Sequence, residues 1–182
     1  MLVLQTSLKK EGSRSDLLGE ILFEKAQKAG FKVEKISLKA FDLPLCDGHG
    51  GAAYDHPHVK IIHDKIKQAK VILVTLPIHN YSVAASTKNL FELTTHPHKD
   101  ILKGDAWRGK IVGVAAAAGS SKSLLAPLSF INTLILEQQC FIIPHYALAT
   151  GDDFKDKDPI KELNDRLDKV IEEAKHLGEL KN

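Results

Sequence analysis

Two uninterrupted apolar runs, Val71-Ile72-Leu73-Val74 and Ile111 to Ala118, do most to limit what this chain can fold into. Apolar residues without polar alternation are the pattern of a parallel strand covered on both faces, and such strands belong to sheets whose connections are helices. Both runs lead into polar loops. The first continues as Thr75-Leu76-Pro77-Ile78-His79-Asn80-Tyr81-Ser82 and on to Asn89, and the second as Gly119-Ser120-Ser121-Lys122-Ser123. Pro77 stands just past the first run and is expected to stop its ladder.

The rest of the chain supplies the helices and outer strands. Leu2-Val3-Leu4 predicts a short buried strand. Leu17, Leu18, Ile21, Leu22, Ala26 and Ala29 recur at helical spacing up to a stop at Gly30. Lys32 to Ser37 reads as a second strand. Val59, Ile62, Ile66 and Ala69 give a second helix before the strand Val71 to Thr75, and Leu90, Phe91 and Leu93 continue a third. Leu124, Leu125, Leu128, Ile131, Ile135 and Leu136 outline a fourth helix, with Pro127 acceptable only in its first turn. Phe141-Ile142-Ile143 is the fifth strand. Asp158-Pro159 then offers an N-cap and a first helical proline to a last helix striped by Ile160, Leu163, Leu167, Val170, Ile171, Ala174 and Leu177. Five alternations predict one α/β domain over residues 1–182, a doubly wound five-stranded parallel sheet with helices on both faces. Leu38 to Pro57 and Thr94 to Gly109 are long polar segments of turn chemistry.

At 182 residues and 43% apolar composition, one sizeable core is within reach. No apolar run has the length of a bilayer span and Gln5 interrupts any signal-peptide core, so a soluble, cytoplasmic protein is expected. Cys46 and Cys140 lack metal-type spacing and read as structural thiols. A net charge of +2, with basic and acidic residues interspersed, gives no basic stripe for nucleic acid. The histidines (His49, His56, His58 and His63 in one segment, His96 and His98 in another) match no zinc pattern and are expected on surface loops. Ser82 and Ser120 have no base, orienting acid and oxyanion hole that could be assembled around them, which disfavours a hydrolase.

Right-handed crossovers would bring the loops after the first, third and fourth strands, Ser7 to Ser15, Pro77 to Ser86 and Gly119 to Ser123, to the carboxyl edge of the sheet. The first of these combines hydroxyls, the Lys9 cation and the N–H groups of a helix start. That set suits a phosphate dianion, and it equally suits a plain helix cap. Neither a Walker sequence nor a Gly-x-Gly-x-x-Gly is present.

Together the three loops resemble those of the NADPH-dependent FMN reductase family of the flavodoxin-like fold, which includes flavin, azo-dye, quinone and chromate reductases. Thr6-Ser7-Leu8-Lys9, followed one residue longer by Gly12-Ser13-Arg14-Ser15, stands where the family has Gly-Ser-x-Arg-x-x-Ser-x-Asn. Pro77, Asn80, Ser82, Lys88 and Asn89 match its Pro-x-Tyr-Asn-x-Ser-x-Pro-x-x-Leu-Lys-Asn, with His79, Ala84 and Thr87 differing, and Gly119-Ser120 is similar to its glycine turn. The resemblance implies that Ser7, Lys9, Ser13 and Ser15 hold the FMN phosphate. It implies that Pro77, Ile78, His79, Asn80, Tyr81 and Ser82 wrap the isoalloxazine edge, and that Gly119 and Ser120 close the far side. It implies NADPH or NADH as co-substrate, a free flavin, quinone or similar small molecule as acceptor, no catalytic side chain, and a homodimer or homotetramer. Trp107 and Tyr54 would then border the flavin edge or a subunit interface. The alternative on the same fold is an electron carrier or binding module without enzymatic activity.

Overall fold

The computed structural model describes residues 1–48, 51–99 and 103–180. Its elements are β1 (Leu2–Gln5), α1 (Arg14–Lys28), β2 (Glu34–Ser37), α2 (Pro57–Gln68), β3 (Val71–His79), β4 (Ser82–Val83), α3 (Ala85–Thr95), β5 (Ile111–Ala117), α4 (Leu128–Leu136), β6 (Phe141–Ile142), β7 (Ala147–Ala149), β8 (Phe154–Lys155), β9 (Asp158–Pro159) and α5 (Lys161–Leu180). The main sheet runs β2-β1-β3-β5-β6, with β7 also on β5 and β4 on β3. Every pairing in it is parallel except that of β4. This is the expected doubly wound architecture.

Each face of the sheet carries its own core. Leu18, Leu22 and Ala26 of α1 and Leu163, Leu167, Val170 and Ala174 of α5 pack on Val3, Leu73 and Ala115. On the other face, Ile62, Ile66, Leu90, Phe91, Phe130 and Leu134, from α2, α3 and α4, cover Leu4, Ile72, Val74 and Val114. Burial on both sides is why the two central strands read as continuous apolar runs. Among the described residues, no helix is long and apolar enough to cross a membrane.

Four expectations need correction. Pro77 does not end β3: it pairs with Ala117, and the strand continues to His79 although β1 has already ended opposite Thr75. The Pro77 carbonyl accepts the Ala84 N–H at 3.1 Å on the side that β1 has vacated. Its nitrogen faces that same side, so no bond to β5 is lost. The fifth strand position is shared by β6 and β7, both parallel to β5, with the N–H-deficient Pro144 between them. Asp158 and Pro159 do not cap the last helix; they pair antiparallel with Phe154 and Lys155, and α5 begins at Lys161. Trp107 and Tyr54 are buried rather than set at an exposed edge. Trp107 is 1% exposed, packs on Phe91 and gives its indole N–H to Thr94 Oγ1 at 2.9 Å. Tyr54 is buried with Val59 and Leu93.

Candidate functional site

The chain leaves β1 under tight control. The Thr6 N–H donates to the Thr75 carbonyl at 2.9 Å, and the Thr6 hydroxyl is 3.1 Å from the same oxygen and 2.6 Å from the Thr87 hydroxyl. Ser86 donates to the Thr6 carbonyl at 2.7 Å. Thr6 therefore turns its side chain into the interior, and the loop that follows starts from a fixed point. Within that loop the Lys9 N–H donates to Ser7 Oγ at 3.1 Å and Lys9 Nζ to the Gly12 carbonyl at 3.1 Å. The tight return needs φ +63° at Gly12, a region that costs glycine little. Ser13 then caps α1, its Oγ accepting the Asp16 N–H at 3.2 Å and lying 3.1 Å from Ser15 Oγ. Among the described residues the N–H groups of Arg14 and Ser15 show no acceptor, as expected at the first turn of a helix.

The second wall is a hairpin. Beyond β1, β3 folds back on β4 with Ile78 opposite Val83 and His79 opposite Ser82. The two turn residues, Asn80 and Tyr81, have φ +49° and +59°. Two positive φ values in a two-residue loop make a type I′ turn, which matches the strand twist. Asn accepts such a conformation readily, whereas Tyr is strained in it. The Tyr81 ring is 65% exposed.

The third wall is the exit of β5. The Ala118 N–H donates to the Ala149 carbonyl at 2.8 Å, Gly119 follows, and Ser120 Oγ accepts the Lys122 N–H at 3.2 Å at the start of a short 3-10 turn, Ser121–Ser123.

These three walls enclose one cleft of about 780 Å³ at the carboxyl edge of the sheet. Eleven of the residues singled out from the sequence line it: Ser7, Lys9, Ser13, Ser15, Pro77, Ile78, His79, Asn80, Tyr81, Gly119 and Ser120. Ser82 does not line it; it is exposed and shapes the hairpin by pairing with His79. The structure adds Gly12, Arg14, Ala117, Ala118 and Ser123. Arg14 lies within the Ser7 to Ser15 loop that the sequence singles out, although the motif assigns it no role, and the two alanines carry no chemical signal in sequence. The lining contains Lys9 and Arg14 and no Asp or Glu, so its field favours an anion. Its volume is within the range of about 300–1,000 Å³ usual for small-molecule clefts. A side hollow of about 520 Å³ shares Gly119 and Ser120 with it and is lined further by Thr150, Asp152, Asp153 and Arg166.

The remaining candidates have structural partners. Cys46 Sγ lies 3.0 Å from the Tyr54 hydroxyl, and Cys140 donates to the Trp107 carbonyl at 3.2 Å. Burial, reinforced by Cys46, pushes the Tyr54 hydroxyl well above its ordinary ionisation range. Asn89 pins the long loop after β2 by accepting the Cys46 N–H at 2.7 Å and donating to the Pro44 carbonyl at 2.9 Å. His56 caps α2, His58 accepts the Asp42 N–H, His63 pairs with Asp105, and His96 and His98 stack on Tyr54. His63 is thus a buried core residue rather than a surface one. His49 lies outside the described residues.

Comparison with known proteins follows the same lines. The family model described as NADPH-dependent FMN reductase matches residues 1–155. No curated protein matches the chain. Among solved structures, an NADH:FMN oxidoreductase, EmoB, in its apo form is 15% identical, with 97% of this chain and 88% of that one covered and a TM-score of 0.74. FerB, a flavoenzyme NAD(P)H:(acceptor) oxidoreductase from Paracoccus denitrificans, is 21% identical over 96% of both chains, with a TM-score of 0.71. A flavodoxin from the domain Archaea is 18% identical, covering 96% and 98%, with a TM-score of 0.59. At these identities the structures establish a shared fold.

Proposed function

We propose that this chain, which belongs to the NADPH-dependent FMN reductase family, seats FMN in the cleft at the carboxyl edge of its sheet and passes electrons to a free flavin, a quinone or a similar planar acceptor. Membership makes it a flavin-dependent NAD(P)H oxidoreductase, with FMN as cofactor and NADPH or NADH as co-substrate. The observation that carries the proposal is the convergence of three separate loops on one acid-free cleft.

The residues present fit the cofactor. A phosphate monoester needs hydrogen-bond donors and positive charge, and Ser7, Ser13 and Ser15, the Lys9 cation and the open Arg14 and Ser15 N–H groups offer both at one end of the cleft. Pro77, Ile78, His79, Asn80 and Tyr81 would flank the ring on one side and Gly119 and Ser120 on the other, with Ser82 holding the hairpin in register. The small side chains of Ala117, Ala118 and Gly119 leave the floor open to a planar group.

FMN, when bound, supplies the centre that accepts hydride from the nicotinamide and donates electrons onward. The protein's share is placement. Anchoring of the phosphate would hold the ring in the cleft, and the exposed Tyr81 stands at the rim, where a second planar molecule would enter. No side chain in the lining need be drawn into acid or base chemistry for this exchange.

We propose further that the chain works as a homodimer or homotetramer. Leu124 and Leu125 just before α4 and Leu136 at its end are half-exposed or more, and large apolar side chains left in water are what a subunit interface would cover. Sedimentation velocity would test this.

Titration of the purified protein with FMN should quench flavin fluorescence and give a bound-flavin absorption spectrum. NADPH should bleach that spectrum, and a quinone or free flavin should restore it. Protein that stays colourless and quenches nothing at micromolar FMN overturns the proposal.

A further inference from the structure

Arg14 stands at an unspecified position of the first-loop motif, where the resemblance assigns it no role, yet it lines the cleft beside Ser13 and Ser15. It is the first residue of α1, immediately after the Ser13 cap. Unlike most of the chain's cations, it has no ion pair or side-chain hydrogen bond among the described residues. Its guanidinium rests against the backbone of Gly151, in the turn that follows β7. A Cβ on Gly151 would come within 2.8 Å of Arg14 Nη2 and 3.2 Å of Cζ. The glycine thus leaves the space that the guanidinium fills. Neither acid of that turn is in ion-pair contact with Arg14 among the described residues: Asp153 accepts from the Thr150 N–H at 2.7 Å, the Thr150 hydroxyl at 2.8 Å and Arg166 at 3.3 Å, and Asp152 is exposed to solvent.

Lys9, the other cation in the lining, is partly committed, since its Nζ donates to the Gly12 carbonyl at 3.1 Å. A flavin monophosphate brings close to two negative charges, and Lys9 alone balances one. We infer that Arg14 is the second phosphate cation, a residue that selects FMN over flavins lacking the terminal phosphate, with Gly151 as the backbone shelf that holds its guanidinium at the cleft. A guanidinium is suited to this, because its planar fork can present two N–H donors to one phosphate.

This inference rests on the proposed FMN site, and the test separates the two. Binding of FMN and of riboflavin is measured by fluorescence quenching for the wild type, Arg14→Ala and Arg14→Lys. Thermal melts without flavin check that the variants fold, as an exposed side chain without hydrogen bonds predicts. Loss of a charge-assisted contact should weaken FMN binding about ten- to a hundredfold in Arg14→Ala. Riboflavin binding should be unchanged, and Arg14→Lys should recover part of the loss. Unchanged FMN affinity in Arg14→Ala, or an equal loss for FMN and riboflavin, overturns the role of Arg14 while leaving the FMN site standing. A wild type that binds neither flavin overturns both.

Discussion

The hydroxyls of Thr6 and Thr87 meet at 2.6 Å in the interior, joining the end of β1 to the first turn of α3 beneath the cleft. Thr6 stands where the family motif has glycine, and this contact accounts for the side chain: it is spent inward, on Thr75 and Thr87, and leaves the cleft lining unchanged. Thr87→Ala removes one partner of a buried pair and should cost about 1–2 kcal/mol in urea unfolding. FMN affinity, measured in the same preparation, should stay at the wild-type value.

Tyr81 occupies a left-handed position at φ +59°. Replacing it with glycine removes a strain of about 1 kcal/mol, so Tyr81→Gly should raise the thermal midpoint of the flavin-free protein. The same change strips the aromatic rim from the cleft. Turnover with a planar acceptor should fall, and a gain in stability together with a loss in kcat/KM would mark Tyr81 as a functional residue kept at a structural cost.

His63 is 3% exposed, and its Nε2 lies 2.8 Å from Asp105 Oδ1, which ties α2 to the segment before β5. Burial pushes the Asp105 carboxyl up, but hydrogen bonds from Lys67 and His63 outweigh it and hold the group below its ordinary 3.8. A carboxylate depressed in the folded state stabilises above its unfolded value and loses that contribution as pH falls through the folded one. Asp105→Asn should therefore cost about 1–3 kcal/mol at neutral pH. In urea unfolding followed against pH, the gap between variant and wild type should narrow below pH 3.8.

Tyr54 predicts the opposite limb. Its hydroxyl is raised above the ordinary 10.0 by burial and by Cys46, so the unfolded chain ionises there first. Stability should be intact below pH 10 and fall above it, more steeply in the wild type than in Tyr54→Phe. Parallel unfolding curves for the two proteins would remove Tyr54 from the account.

Much of the fold was legible because burial on both faces writes itself plainly: Val71 to Val74 and Ile111 to Ala117 could hardly be anything but central strands. The polar exits after three of the strands were equally plain, and eleven of the twelve residues chosen from them share one cleft. The misreadings came from non-local causes. Pro77 continues a strand only because β1 stops opposite Thr75, and that ending cannot be seen near residue 77. Trp107 sits in a polar stretch, yet Phe91 and Thr94, contributed by α3, receive it in the core. Asp158-Pro159 carried helix-start chemistry and was captured by Phe154-Lys155 across a turn. Arg14 lay in plain view in the Ser7 to Ser15 loop and was given no role, because the motif leaves its position unspecified and the contact with Gly151 comes from a distant turn.

The overrun of β3 past β1 has a kinetic meaning. One wall of the cleft is an extension of a central strand, and the hairpin at its tip is closed by ladder pairs and by the Ala84 bond to Pro77. Ile78 to Val83 lie past the last pairing of β3 with β1, at Thr75, and with β5, at Pro77, so the hairpin can open without disturbing the sheet and its amides should exchange with deuterium faster than those of Val71 to Thr75. Entry and release of flavin should then be governed by the three loops that outrun the sheet, the hairpin included, each held by few backbone bonds.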